Sequence, residues 1–326
     1  MRKTSLKDIA RATDLSISTV SAALRGTGPG LGLAEATITQ VRAVSQKLNY
    51  IPQASGRALV RGRQNVLLAV LPSDIRAAPW ISEYVWGAAA GAARAGYGIQ
   101  ITVIDPDSQS FKDLTQTALG GVDGVAFYYG GGRDPETCEA AGLPAVGLAR
   151  AKAPNTVTME TEPGVQELWA RLQRRNTTEL HLWGPPGWKT RTGRAFVKDV
   201  IRRSPVPIIE TEVETDPTVA IERMLAAGKS AALFSLQDDW IWQLAIAQAR
   251  RRGGSGVNFD QLPWTVISYE STSHSHRTLA RLGVGRLDVE TRLMGESAME
   301  LLAQRLKNDG RSVPGVAVHA RVEWPR

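Results

Sequence analysis

Leu6 to Arg25, LKDIARATDLSISTVSAALR, is the stretch whose reading decides the fold of the N-terminal part. Leu6, Ile9 and Ala10 fall on one face of a short helix and Val20, Ala23 and Leu24 on one face of another, with only Asp14, Leu15 and Ser16 between them. Ala10 lets two helices cross closely. Asp14 tolerates the left-handed conformation that ends a helix, and Ser16 is a good N-cap for the next one. The layout is that of a helix-turn-helix, with Ile17, Ser18 and Thr19 at the exposed tip of the second helix, where a major-groove reader meets base edges. The alternative is an amphipathic helical hairpin with no partner.

Charge favours the first reading. Residues 1–63 carry ten basic side chains (Arg2, Lys3, Lys7, Arg11, Arg25, Arg42, Lys47, Arg57, Arg61, Arg63) against Asp8, Asp14 and Glu35, a net of +7. The chain as a whole has 39 basic and 32 acidic residues, so the remainder is neutral, with 29 of each. A basic module attached to a neutral one is the footprint of a nucleic-acid binder.

The 326 residues, 43% hydrophobic and 22% charged, suit a globular chain of two or three domains. A single cysteine, Cys138, excludes an internal disulfide framework and a four-cysteine zinc site, which fits a reducing cytoplasm. The N-terminus MRKTSLKD has no apolar core of a signal peptide, and no stretch nears 18 uninterrupted apolar residues, so a cytoplasmic protein without a membrane span is expected.

After the Gly-rich loop 26–33, Ile38, Val41, Val44 and Leu48 have the spacing of a third helix covering the first two. Tyr50-Ile51-Pro52 ends it, and 53–63 reads as a hinge helix or linker. From Val66 apolar runs alternate with helical stretches: strands at 66–71, 99–104, 124–129 and 145–149, then at 179–184, 207–213, 231–235 and 264–268. The expected organisation is a helix-turn-helix domain at 1–52, the linker at 53–63 and a core at 64–326. That core is expected to be α/β, two doubly wound parallel-sheet subdomains of the periplasmic-binding-protein-like kind, divided about 64–158 with 286–309, and 159–285 with 310–326. A last helix, Val289 to Leu306, buries Leu293, Met294, Ala298, Leu301, Leu302 and Leu306. Ligand would sit between the subdomains, at the strands' carboxyl ends.

Leu6-Lys7-Asp8-Ile9-Ala10, Ser16-Ile17-Ser18-Thr19-Val20-Ser21, and Tyr50-Ile51-Pro52 with Arg57 and Leu59 resemble the N-terminal signature of the LacI/GalR family of bacterial transcription regulators. The order of parts resembles it over the full length. The resemblance implies a homodimer whose recognition helices enter successive major grooves of a pseudo-palindromic operator. It also implies that 53–61 folds as a hinge helix on DNA, with Leu59 wedged into the minor groove. Thr4, Thr19, Ser21, Asn49 and Tyr50 would meet phosphates, Ile17, Ser18 and Ala22 bases; Leu6, Ser16 and Arg57 complete the expected interface. Four positions depart from the family. Ala22 stands where Arg is common, which removes a bidentate guanine reader worth about 1–3 kcal/mol of discrimination. Asp14 replaces Gly, Gln53 Asn and Gly56 Ala.

The resemblance places a small polar effector, a sugar or sugar derivative, against Trp80, Arg191 (Thr192 in a register one residue on), Asp238 and Glu270. Glu160-Thr161 stands where Asp-Asn is usual, and Gln237 where Asn is usual. Each of the four has a plainer reading as core filler, helix cap or surface pair. Gly130-Gly131-Gly132 lacks a phosphate-loop context, and His274-Ser275-His276 lacks a third metal ligand. No cofactor, metal or catalytic constellation is expected. The reading is a dimeric DNA-binding regulator, a repressor, tuned by the effector. Its rivals are an enzyme or sugar-binding protein on the same core and a ligand-independent DNA-binding regulator.

Overall fold

A computed structural model describes residues 4–50, 63–72, 81–104, 121–128, 134–149, 153–186, 195–213, 216–227, 230–254, 256–262, 264–269 and 273–325. The chain separates into two compact units, Met1–Gln64 and Asn65–Arg326.

The first unit is three helices, α1 (Leu6–Thr13), α2 (Ile17–Arg25) and α3 (Glu35–Lys47). Ile9, Ala10, Val20, Ala23, Ile38 and Val41 form its core, with Leu6, Leu15, Leu24, Val44, Leu48 and Tyr50 packed around them. Asp14 ends α1 with φ 55°, and the Leu15 N–H donates back to the Ala10 carbonyl at 3.1 Å. This is the left-handed stop that the sequence predicts.

In the second unit, among the described residues, twelve strands make two six-stranded sheets. The first contains β1 (Val66–Pro72), β2 (Gly98–Ile104), β3 (Gly124–Phe127), β4 (Ala145–Ala149), β5 (Thr156–Glu160) and β11 (Val316–His319), in the order β11-β5-β4-β3-β1-β2. The second contains β6 (Glu179–Gly184), β7 (Ile208–Glu212), β8 (Ala231–Ser235), β9 (Thr265–Tyr269), β10 (Gly285–Asp288) and β12 (Arg321–Glu323), in the order β12-β10-β9-β8-β6-β7. Every pairing is parallel except β10 with β12.

The inner strands of both sheets are buried on both faces, as in other parallel sheets, while the edge strands β2 and β7 are partly exposed. Along β1, Leu67, Ala69 and Leu71 enter one core and Leu68 and Val70 another. In the second sheet, Leu180, Leu182, Phe234 and Ile267 face one core, and Trp183, Leu233 and Val266 the other. Trp183 is thus a packing residue, fully buried. The helices that supply the opposite walls are α4 (Ile81–Arg94), α5 (Asp134–Ala140), α6 (Glu162–Arg174), α7 (Ala195–Arg202), α8 (Thr218–Ala226), α9 (Asp238–Arg251), α10 (Ser273–Ala280) and α11 (Thr291–Lys307).

Helices α4 and α11 cross closely. A Cβ on Gly87 would lie 1.9 Å from the Arg292 carbonyl oxygen, and one on Gly295 would lie 2.3 Å from that of Tyr84. Arg94 closes the seam, its guanidinium donating to Glu300 at 2.9 Å and Glu296 at 2.8 Å.

Three expectations are corrected. The segment 310–326 does not lie wholly in the second subdomain: β11 pairs with β5 in the first sheet, in the register Val316↔Val157, and only β12 returns to the second. Residues 286–288 likewise belong to the second sheet, through β9. The chain therefore passes between sheets after β5, β10 and β11. His274-Ser275-His276 is not loop but part of α10, and His276 is buried. The Gly130-Gly131-Gly132 run lies outside the described residues.

Candidate nucleic-acid interface and effector site

The N-terminal unit holds its first two helices by their own caps. The Ser5 N–H and hydroxyl both donate to the Asp8 carboxylate, at 2.9 and 2.7 Å, so the acid sits at the positive end of α1. The Thr4 hydroxyl donates to the Leu48 carbonyl at 2.8 Å, tying the chain start to the end of α3. Ser16 caps α2 by accepting the Thr19 N–H at 3.1 Å. Its hydroxyl also lies 2.7 Å from that of Ser18 and 2.8 Å from that of Thr19.

What α2 presents is uneven. Ile17 is 44% exposed, Ser16 and Ser18 are exposed, and Thr19 and Ser21 are half-buried. Arg25 is exposed, with its Nε–H held by the Ser21 carbonyl at 3.1 Å. Ala22 does not face outward as expected: it is 3% exposed. The Thr27 N–H donates to the Ala22 carbonyl at 3.2 Å, closing the end of α2 after Gly26 with φ 76°.

Leu6 is half-buried against the three-helix core. Asn49 is exposed with φ 48°, and the half-buried Tyr50 donates its N–H to the Ser45 carbonyl at 2.9 Å. Lys7, Arg11, Arg25, Arg42 and Lys47 are all exposed, so each of the three helices presents basic side chains at the surface. Arg57 and Leu59 lie outside the described residues.

Of the four expected effector residues, Trp80, Arg191 and Glu270 lie outside the described residues, as do Thr192 and Trp188. Asp238 opens α9, and its carboxylate accepts two hydroxyls, that of Ser268 on β9 at 2.5 Å and that of Ser275 on α10. Burial pushes its pKa above the ordinary carboxylate value, while the two hydroxyls and Arg286 pull the other way. Asp238 therefore pins α9, β9 and α10 together. Gln237 precedes it, with its backbone carbonyl accepting the Ser235 hydroxyl at 2.8 Å. The Glu160 carboxylate lies 3.0 Å from His319 Nδ1, and the Thr161 hydroxyl donates to Asp199 at 2.9 Å. Both contacts lie at or beside a passage of the chain between sheets. Trp240 is buried, 4% exposed, in a core cluster with Trp183.

A second charged cluster has no counterpart in the sequence reading. Arg286 and Asp288 on β10 pair with each other, Arg321 on β12 reaches Glu323 at 3.1 Å and also pairs with Glu290, and His276 lies 3.4 Å from Glu323. Burial and Arg286 hold the His276 pKa below its ordinary value. The signal was masked because Arg and Asp two residues apart read as loop, whereas on one strand their side chains share a face and neutralise each other. Among the described residues no group of three or more histidine, cysteine or acidic side chains could hold a metal ion. No described helix is long and apolar enough to cross a membrane.

Residues 5–53 match the family model described as bacterial regulatory proteins, lacI family. No match is found among curated protein sequences. Among solved structures, the lac repressor dimer bound to operator and the anti-inducer ONPF is 18% identical, with a TM-score of 0.71 over 99% of each chain. A lacI-family transcriptional regulator from Silicibacter pomeroyi is 18% identical, with a TM-score of 0.68 over 98% of each chain. The regulator CelR in complex with cellobiose is 17% identical, with a TM-score of 0.54 over 99% of each chain. These likenesses establish the fold: an N-terminal helical unit and a periplasmic-binding-protein-like core of two parallel-rich sheets.

Proposed function

We propose, from an N-terminal unit that matches the lacI family and a chain with the lac repressor fold, that this protein is a sequence-specific DNA-binding transcription regulator. It acts as a homodimeric repressor in the cytoplasm and is not an enzyme. The observation that carries the reading is α2, an α-helix capped by Ser16 that turns Ile17 and Ser18 outward from a unit with a net charge of +7. A helix so mounted fits a major groove, and the exposed Lys7, Arg11, Arg25, Arg42 and Lys47 suit the flanking phosphates.

Pairing of two copies is supported by apolar surface on edge strand β2, where Ile101 and Val103 are 41% and 47% exposed. Arg57 and Leu59 would act in the hinge, with Leu59 entering the minor groove. Thr4, Ser21, Asn49 and Tyr50 would position the unit on phosphates.

The core binds a small polar effector of the sugar class, as the cellobiose complex of a relative with this fold suggests, against Trp80, Arg191, Asp238 and Glu270. Effector shifts DNA affinity by as much as its affinities for the two core arrangements differ. A ligand-independent regulator is the second reading. It is favoured by the occupation of Asp238 by Ser268 and Ser275, and of Glu160 by His319.

Selection of duplexes from a random pool by the full chain tests the proposal. A two-fold symmetric motif is the expected result, and a pool that stays random contradicts it. Calorimetry with sugars in the presence and absence of the selected duplex separates the two readings of the core.

A further inference from the structure

On its first two turns the α2 face that would meet DNA carries hydroxyls but no side chain that reads a base by two hydrogen bonds. Ile17, Ser18, Ser21, Ala22 and Arg25 share that face by helical spacing. The Ser16 hydroxyl lies 2.7 Å from that of Ser18 and 2.8 Å from that of Thr19, so the three hydroxyls hydrogen-bond one another across the cap. Ala22 is buried, and the Arg25 Nε–H is taken by the Ser21 carbonyl at the far end of the helix. No fork of donors or acceptors stands on the first two turns.

What does stand there is Ile17, 44% exposed while Ile9, Val20 and Ile38 beside it in the unit are buried to 2% or less. It is β-branched and stiff, so it loses little entropy on contact. The chemical feature of a major groove that rewards an exposed branched aliphatic side chain is the C5 methyl of thymine.

We propose that Ile17 is the specificity-determining residue of this interface and that it reads a thymine methyl in each half-site. The inference rests on the proposed function and names the chemistry by which that function selects its sequence. Discrimination at this position is between thymine and every base that lacks a methyl, not between hydrogen-bond patterns.

The test uses deoxyuridine, which removes the methyl and keeps every hydrogen-bonding group. In the duplex selected by the full chain, each thymine is replaced in turn by deoxyuridine and affinity is read by fluorescence anisotropy. The expected result is one sensitive position in each half-site, with about fourfold weaker binding per methyl lost. Ile17→Ala, which folds because the side chain is exposed, should bind thymine and deoxyuridine duplexes equally, and Ile17→Val should keep the preference. Neutral substitution at every thymine, or an unchanged preference in Ile17→Ala, overturns the inference while leaving the proposed function standing. Failure of the wild-type chain to enrich any motif overturns both.

Discussion

Arg286 and Asp288 lie two residues apart on β10 and are ion-paired at 3.0 Å although they are only 7% and 6% exposed. Taking Arg286 away leaves the buried Asp288 carboxylate with only the Glu290 N–H at 2.8 Å and Arg321 at 3.8 Å, whereas replacing both by apolar groups leaves no buried charge there. Arg286→Met should therefore lower stability by about 3 kcal/mol, and Arg286→Met with Asp288→Leu should recover a large part of that loss. Urea unfolding of the two variants checks the sign, and additive losses would show that the pair is not coupled.

Asp238 and His276 give stability opposite dependences on pH. Burial, aided by Arg286, holds His276 below its ordinary value, against the pull of Glu323, Asp288 and Asp238. The unfolded chain then binds the proton first, and stability is lost as pH falls through about 6.5 towards the folded value. Burial raises Asp238, so the folded chain keeps the proton longer, and that contribution is lost as pH rises from about 4 through the folded value. Unfolding midpoints across this range should lose their near-neutral slope in His276→Gln and their acidic slope in Asp238→Asn.

The α4–α11 seam tolerates no side chain at its glycines. Gly87→Ala sets a Cβ against the Arg292 backbone oxygen, which cannot swing away as a side chain could, and should cost about 3 kcal/mol. Gly30→Ala meets nothing within 4 Å and should cost nothing. Thermal unfolding of the pair distinguishes a packed crossing from a general intolerance of alanine.

Removing the Ser16 cap should act on α2 alone. Ser16→Ala gives up the bond from the Thr19 N–H and should destabilise the N-terminal unit by about 1 kcal/mol, read as a lower midpoint for the helical signal of the 1–64 unit within the full chain. An unchanged midpoint would show that the hydroxyls of Ser18 and Thr19 replace it.

Much of this architecture is legible in the residues. The helix-turn-helix shows because its signals are local: Asp14 as a left-handed stop, Ser16 as a cap, and apolar spacing that buries Ile9, Val20 and Ala23. The eight continuous apolar runs became strands for the same reason. β5, β10, β11 and β12 escaped because they are three to five residues long and because long-range pairing rather than composition makes them strands. GRLD at Gly285–Asp288 is buried with its two charges paired to one another. The interface was legible in outline, but the burial of Ala22 was not, because it is a matter of packing that the helical spacing of one element does not contain. Asp238 was found as a candidate, while its capture by Ser268 and Ser275 joins residues 30 and 37 positions away.

The central claim is that the basic N-terminal unit selects a duplex sequence through the outward face of α2. Its most direct measurement is the affinity of the full chain for the duplex it enriches and for a scrambled duplex of the same composition, across a range of salt. The account predicts a preference of about a thousandfold or more near physiological salt, with both affinities falling steeply as salt rises. Equal affinities for the two duplexes would contradict it.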